Sequence, residues 1–544
     1  MNSRAFPLDK SDRICGYADM SLGKTPPHED LFNSSTRYCE GRLSESSLYE
    51  LLHQKGHLLF PDDAFADLYA GHGRGSVPPH IVAIVMVLQR AEGLSDRDAV
   101  ERFSFDLRWK YACGGLDYDY PSFVHSVLVE QRARLRRSDH PDRIFEAVLE
   151  ICKAAGLVGR KRAFDSTALY DAVATQDTVT MIRSAIRQLL AAVDADLAKK
   201  IRDALERDDD YTEPGKPSCD WDDKPAREAL VDALARDAHA ALGCLHNRKL
   251  AENAEQAGQL LATVVGQDLE RNEDGRFRIA HGVARDRVIS TVDPEARHGH
   301  KTSSRNFDGY KGHISVDPDS EIIAASDVTP GNIGDGEAAG ELLRELETAN
   351  AQQTPDAEPM QAYGDASYGT AEIVERLEEG GIEANVKVQE PARPHGGLFS
   401  KSAFAIDLAA QQVRCPQDFT VPIRQRPDGT GLANFGLHCP TCPLRSQCTN
   451  SRRGRSIRIH PKERTLQRSR KRQRNPAWKA DYRATRPKVE RKFGHLMRHR
   501  HGGRRARVRG VLRVRQDFAI LCATANLKRL AVLGVHHEPA QRAR

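Results

Sequence analysis

Between Arg452 and Arg515 the chain carries 25 Lys and Arg but only three acids, Glu463, Asp481 and Glu490, a net charge of +22. The whole chain sums to +5, so the remainder carries −17. Like charges at this density repel, and a fold that gathers them needs counter-charge, from its own acidic part or from a polyanion on that face. Segregation of this degree points to nucleic acid. The alternative is a solvated basic tail. Against it stand Val489, Phe493 and Met497 at helical spacing within the run, and the apolar stretch Phe518–Leu530 beyond it.

At 544 residues the chain exceeds what one hydrophobic core holds, roughly 250–300 residues, so several units are expected. With 39% hydrophobic and 29% charged residues it is too apolar for a disordered chain. The longest apolar runs, such as Ile81–Leu88, fall short of the ~20 residues that span a bilayer. The opening Met-Asn-Ser-Arg-Ala-Phe-Pro lacks the apolar core of a signal peptide, and the expected location is cytoplasmic, with the nucleoid.

Residues 1–44 are polar and aperiodic, and are read as loosely ordered. Gly23-Lys24-Thr25 resembles the end of a phosphate loop, but Ala18 stands where that loop needs glycine, and Pro26-Pro27 blocks the following helix. Residues 45–160 read as helical, with Pro79 opening one helix, Gly93 closing it and Ser95–Asp98 capping the next. The pair suits a DNA-reading helix-turn-helix or a plain helical hairpin. Residues 161–174 and 276–390 form an α/β unit: a strand bearing Asp165, a hairpin over Phe307–Val316 and Glu321–Val328, a helix capped by Asn332 or Asp335, a strand ending at Asp365, a helix, and a last strand over Ile382–Val388. This order predicts a mixed five-stranded sheet with helices packed on it. Residues 175–275 carry three helical stripes and form a helical insertion, 391–460 a loop-rich insertion with cysteines, and 461–535 basic helices.

Any one of 76 acids is weak evidence, so position decides. Asp165 lies within the first strand of the α/β unit and Asp365 ends a later one among small neighbours, where open sheets bind ligands. Each alone could be a turn or cap residue. Glu490 sits among Lys488, Arg491 and Lys492, on a helical stripe with Arg486, Phe493 and Met497 that faces the protein. An inward carboxylate among cations is a salt-bridge partner or a metal ligand. Two Asp and a Glu together would make an oxygen site for two Mg²⁺ or Mn²⁺ ions, suited to phosphoryl transfer.

The order Asp165, Asp365, Glu490 resembles that of the DDE transposases of bacterial insertion sequences. Further likeness lies in Phe164-Asp165-Ser166-Thr167, Gly309–His313, Thr329–Asn332, Tyr363–Gly369 and Arg486–Gly494, and the nearest branch is the family numbered eleven eighty-two. The resemblance implies a ribonuclease H-like core and catalytic Asp165, Asp365 and Glu490. It further implies cleavage at the element's terminal inverted repeats, joining of the freed 3′-hydroxyl to target DNA, and a homodimer on double-stranded DNA. Relatives carry Tyr and Arg seven and four residues before the Glu and Lys seven after. Here Arg486 fits, Tyr482 comes one residue early, and Met497 replaces the Lys, with Arg498 next to it. The rivals are a metal-dependent nuclease of the same fold and a catalytically silent, transposase-derived DNA-binding protein.

Lys311 and His313 share one strand face and are read as phosphate contacts or a solvated face. Arg504, Arg505, Arg507 and Arg509 join Arg486 and Arg498 as DNA-backbone candidates. Cys415, Cys439, Cys442 and Cys448 include a C-x₂-C pair, which suits structural Zn²⁺ with His438 as substitute ligand; metal-free reduced thiols are the alternative.

Overall fold

The computed structural model describes residues 20–24, 34–171, 174–302, 305–354, 356–392, 394–498 and 501–534. Much of 1–44, expected to be loosely ordered, lies outside the described residues, as does Thr25 of the phosphate-loop look-alike, but Ser35–Cys39 within it form a short helix. Among the described residues no helix is long and apolar enough to cross a membrane.

Beyond the short Ser35–Cys39 helix, six helices precede the central sheet among the described residues: α1 (Leu48–Leu59), α2 (Pro79–Glu92), α3 (Asp96–Phe105), α4 (Leu107–Ala112), α5 (Ser126–Arg137) and α6 (Arg143–Ala154). Pro79 opens α2, Gly93 closes it in the left-handed conformation at φ 70°, and Ser95 with Asp98 forms a capping box on α3. Every residue from Pro79 to Ala91 is buried, so α2 is a core helix. The chain continues through β1 (Lys161–Tyr170) into α7 (Thr178–Ala192), α8 (Ala195–Ala204), α9 (Lys224–Leu245) and α10 (Glu252–Asp268), which enclose an apolar core of their own.

The central sheet is completed by β2 (Arg297–Thr302), β3 (Arg305–Val316), β4 (Ile323–Pro330), β5 (Gln361–Gly364) and β6 (Glu383–Val386), with α11 (Asp335–Ala351) and α12 (Ala371–Glu379) between the later strands. Its order is β4-β3-β1-β5-β6. The β4–β3 and β3–β1 pairs are antiparallel, and the β1–β5 and β5–β6 pairs parallel. β2 makes a sixth strand where five were expected. Arg305–Asp308 of β3 run beyond the end of β1, and β2 supplies hydrogen-bond partners there (His298 opposite Asp308, Gly299 opposite Phe307).

Both faces of the sheet are covered. Phe164 packs with α11 and α12 through Leu342, Leu346, Val374 and Leu377. On the opposite face Ala163, Leu169, Tyr310 and Ile314 share one core with α2 and with α16 (Val511–Leu533). The cysteine-rich segment is not merely loops. It builds two small antiparallel sheets from β7 (Ala405–Asp407), β8 (Gln412–Arg414) and β9 (Thr420–Pro422), then β10 (Arg424–Gln425), β11 (Gly431–Asn434) and β12 (Ser456–Ile459). Three basic helices follow before α16: α13 (Glu463–Gln473), α14 (Pro476–Thr485) and α15 (Pro487–Leu496).

Candidate active site

Register brings the first two carboxylates together. Lys161 stands opposite Gln361 and Ala163 opposite Tyr363 in the parallel β1–β5 pair. Carried two residues on, this alignment sets Asp365, just past β5, beside Asp165. Glu490 arrives on α15. Pro487 cannot continue the hydrogen-bonding of α14, so a joint forms at Arg486, whose buried side chain reaches under the carboxylates.

Arg486 is the group all three acids share. Its Nη2 lies 3.0 Å from Asp165 Oδ1 and 3.8 Å from Asp365 Oδ2, while Nη1 donates to Glu490 Oε1 at 3.1 Å. The side chains climb from floor to rim, at 15% exposed for Asp165, 41% for Asp365 and 64% for Glu490. Glu490 therefore does not face the protein as its helical stripe suggested. The buried residues of α15 are Val489, Lys492, Phe493 and Leu496, and the acid stands at the edge of that face. Burial pushes the Asp165 carboxyl up to about 6; Arg486 opposes the rise, and Asp365 and Glu490 add to it.

Around this trio α14 is clamped to the strand ends. The Tyr482 hydroxyl donates to the Gly364 carbonyl at 3.0 Å, Trp478 stacks on Tyr482, and Trp478 Nε1 donates to Asn385 Oδ1. A cleft of about 610 Å³ opens beside Asp165 and Asp365, lined also by Ser166, Lys301, Lys311 and Asp335. Ser166 Oγ donates to Asp335 Oδ2 at 2.9 Å, and Lys311 Nζ to Asp335 Oδ1 at 3.1 Å. Asp335 is the first residue of α11, behind a Gly334 cap, and Asn332 bonds Asp286; neither caps that helix as expected. The Ser166–Asp335–Lys311 set was not singled out in the sequence, where Asp335 reads as a cap.

Other expected residues scatter. His313 is buried between Thr329 Oγ1 and the Tyr368 hydroxyl, and burial lowers its pKa to about 4, so a neutral ring sits where a phosphate contact was expected. Arg507 spends a guanidinium nitrogen on the Leu94 carbonyl. Arg498, Arg504, Arg505 and Arg509 are exposed. Arg504 and Arg505 lie next to β1, where the Tyr170 N–H donates to the Arg504 carbonyl and the Ala506 N–H to the Tyr170 carbonyl. Of the other acids in the basic run, Glu463 opens α13 buried between Lys401 and Arg470, and Asp481 lies inside α14, where it accepts from the Tyr363 hydroxyl.

Among the described residues no three His, Cys, Asp or Glu side chains form a ready-made metal shell. At the carboxylates a guanidinium supplies the cation. Three ionised acids around one guanidinium leave an excess of two negative charges on hard oxygen donors at a cleft, which fits Mg²⁺ or Mn²⁺. The four cysteines line a separate cavity with His438.

Comparison with known protein families gives two matches. A family model described as a transposase DDE domain covers residues 414–531, and one described as a transposase domain covers residues 38–134. The first takes in Arg486, Glu490 and α16 but starts beyond Asp165 and Asp365. No curated protein and no solved structure matches the chain.

Proposed function

We propose that this chain, whose matches to a transposase DDE domain and a transposase domain indicate a transposase, is an insertion-sequence DDE transposase with Asp165, Asp365 and Glu490 as the catalytic carboxylates of its DNA cleavage and strand-transfer reactions. The observation that carries the reading is the meeting of acids 200 and 125 residues apart in sequence on the single side chain of Arg486. The strand order β4-β3-β1-β5-β6, with antiparallel pairs on one side of β1 and parallel pairs on the other, supports a ribonuclease H-like core. The branch numbered eleven eighty-two remains our assignment within the insertion-sequence enzymes.

In the first step water attacks a phosphodiester at the element's end: a new P–O bond forms, the P–O3′ bond breaks, and a 3′-hydroxyl is released. That hydroxyl then attacks a target phosphodiester: its oxygen loses a proton and forms a new P–O bond, while the target strand's own P–O3′ bond breaks and takes up a proton as a 3′-hydroxyl. Asp165, Asp365 and Glu490 would hold two Mg²⁺ or Mn²⁺ ions, which when bound activate the attacking oxygen and stabilise the leaving one. Arg486 keeps the three acids together, and Tyr482 with Trp478 fixes α14 so that Glu490 reaches the strand ends. Exposed Arg498, Arg504, Arg505 and Arg509 supply backbone contacts that position DNA without reading its sequence. Terminal-repeat recognition is assigned to residues 45–160, and bringing two ends together calls for a homodimer on DNA.

The test is Mg²⁺-dependent cleavage and joining on DNA bearing the element's own ends. Wild type is expected to cut and join, and Glu490→Gln to bind DNA without doing either. Cutting without joining would make the chain a nuclease. Binding with neither reaction, in Mg²⁺ or Mn²⁺, would leave a silent DNA-binding protein.

A further inference from the structure

The cysteine-rich module, residues 399–460, has a core separate from the rest of the molecule. Ten buried residues make it up, among them Phe404, Val413, Phe435, Ile457, Cys439 and Cys448. Its strands are two to four residues long. About 60 residues around so small a core rarely hold a fold unaided, and natural units of this size add disulfides or a metal. Here there is no disulfide: Cys415, Cys439, Cys442 and Cys448 are all free thiols.

These four come from three places. Cys415 heads the turn between β8 and β9, where its N–H donates to the Phe419 carbonyl at 2.9 Å. Cys439 and Cys442 bracket a tight turn after β11, closed by Cys442 N–H to Cys439 carbonyl at 3.3 Å. Cys448 ends the single helical turn Arg445–Cys448. All four line one cavity of about 20 Å³, room for a single small occupant. The surrounding backbone is shaped to a sulfur. Arg455 N–H donates to Cys439 Sγ at 3.3 Å, and Gly454, at φ 78°, passes so close that a Cβ there would stand 3.1 Å from the same atom. His438 is engaged elsewhere, its ring stacked on Phe419 with centroids 4.7 Å apart.

We propose that Cys415, Cys439, Cys442 and Cys448 bind one structural zinc ion that holds the cysteine-rich module together. Among the described residues no such group already stands close enough to hold an ion, so binding must draw the four thiols together: four S–H protons leave, four Zn–S bonds form, and no electron is transferred. With all four positions taken by cysteine no site remains for substrate, so the ion is structural. Its influence on the carboxylates is indirect. Lys401 of the module is ion-paired at 2.5 Å to buried Glu463, the first residue of α13, which leads through α14 to Glu490.

The test is elemental analysis of the purified full-length chain in the absence of DNA. Wild type is expected to carry about one zinc per chain, and Cys439→Ser/Cys442→Ser to carry none. Cys522→Ser, a buried cysteine of the main core, should keep its zinc. If the double variant fails to fold, wild type loaded with Co²⁺ decides, since four thiolates give an intense near-ultraviolet sulfur-to-cobalt band. Wild type that purifies without zinc and gives no such band on Co²⁺ addition overturns the proposal. Neither readout uses DNA or the carboxylates, so failure here leaves the transposase reading intact.

Discussion

The carboxylate cleft and the cysteine cavity both gather like ligands from distant parts of the chain, but they begin from opposite charge states. Ionised acids repel, and three of them stay assembled because the chain supplies a cation of its own, the buried guanidinium of Arg486. A thiol carries no charge until its proton leaves, so four can face one cavity without repelling one another. The difference teaches what each site must exchange on binding a metal. At the cleft an incoming ion competes with Arg486; at the cysteines it competes with protons. A divalent ion that binds the cleft must therefore displace or share an arginine.

The largest expected effect tests whether the cleft is a reaction centre at all. Glu490→Gln keeps the size of the side chain and one acceptor oxygen for Arg486, and replaces the other oxygen and the charge with a neutral NH2 donor. We expect cleavage and joining to fall at least about 100-fold, with DNA affinity within about twofold of wild type. Gel assays on end-bearing DNA read both quantities. A variant that still cuts would move catalysis away from Arg486 and its acids.

Arg486→Met attacks the comparison directly, because it leaves three acids with no internal cation. A fully buried broken pair costs about 3–5 kcal/mol. The loss here is expected near 2 kcal/mol, since Asp365 and Glu490 reach solvent and Asp165 can take up a proton. Urea unfolding in chelator should show the loss at pH 8 and show it shrinking toward pH 5. Mn²⁺ should stabilise this variant more than wild type. Equal stability at every pH would mean that Arg486 is a bystander.

Asp165 gives an effect of comparable size and opposite sign. Its folded pKa of about 6 lies above the 3.8 of a free aspartate, so the native state binds the proton more tightly than the unfolded one. Stability contributed by the protonated form is present below pH 4 and is lost as pH rises to about 6. Asp165→Asn mimics that neutral form. It should be more stable than wild type by about 1–3 kcal/mol at pH 7 in chelator, with the gap closing toward pH 4, while supporting no cleavage. Parallel pH series of thermal unfolding check the sign.

Much of the cleft was legible in the sequence. Asp165 sits on one strand and Asp365 directly follows another, both marked by their apolar residues, and the hairpin alternates cleanly. What escaped has physical causes. β2 reads Arg-His-Gly-His-Lys-Thr and has no apolar alternation to reveal it. Period-two reasoning placed Lys311 and His313 on one face, but not the Tyr368 ring and α11 that cover that face, and so took a buried imidazole for a surface one. Glu490 misled in the other direction. Its stripe lies beside the buried one through Val489, Phe493 and Leu496, a small rotation that separates the rim of a cleft from its wall. The two-to-four-residue strands of the cysteine module are too short for any periodicity to show.

The smallest effect concerns how α14 is held. The Tyr482 hydroxyl makes one hydrogen bond, to the Gly364 carbonyl, adjacent to Asp365. Tyr482→Phe removes that bond and keeps the stack on Trp478, so it should cost about 1 kcal/mol of stability. If α14 merely covers the sheet, activity should follow stability and stay near wild type at low temperature. If the bond sets where Glu490 stands relative to Asp365, cleavage should fall several-fold at temperatures where the variant is fully folded. Trp478→Leu sharpens the distinction. Losing the stack and the Asn385 bond together should lower cleavage further if α14 positions the acid, and should lower only the melting temperature if it does not.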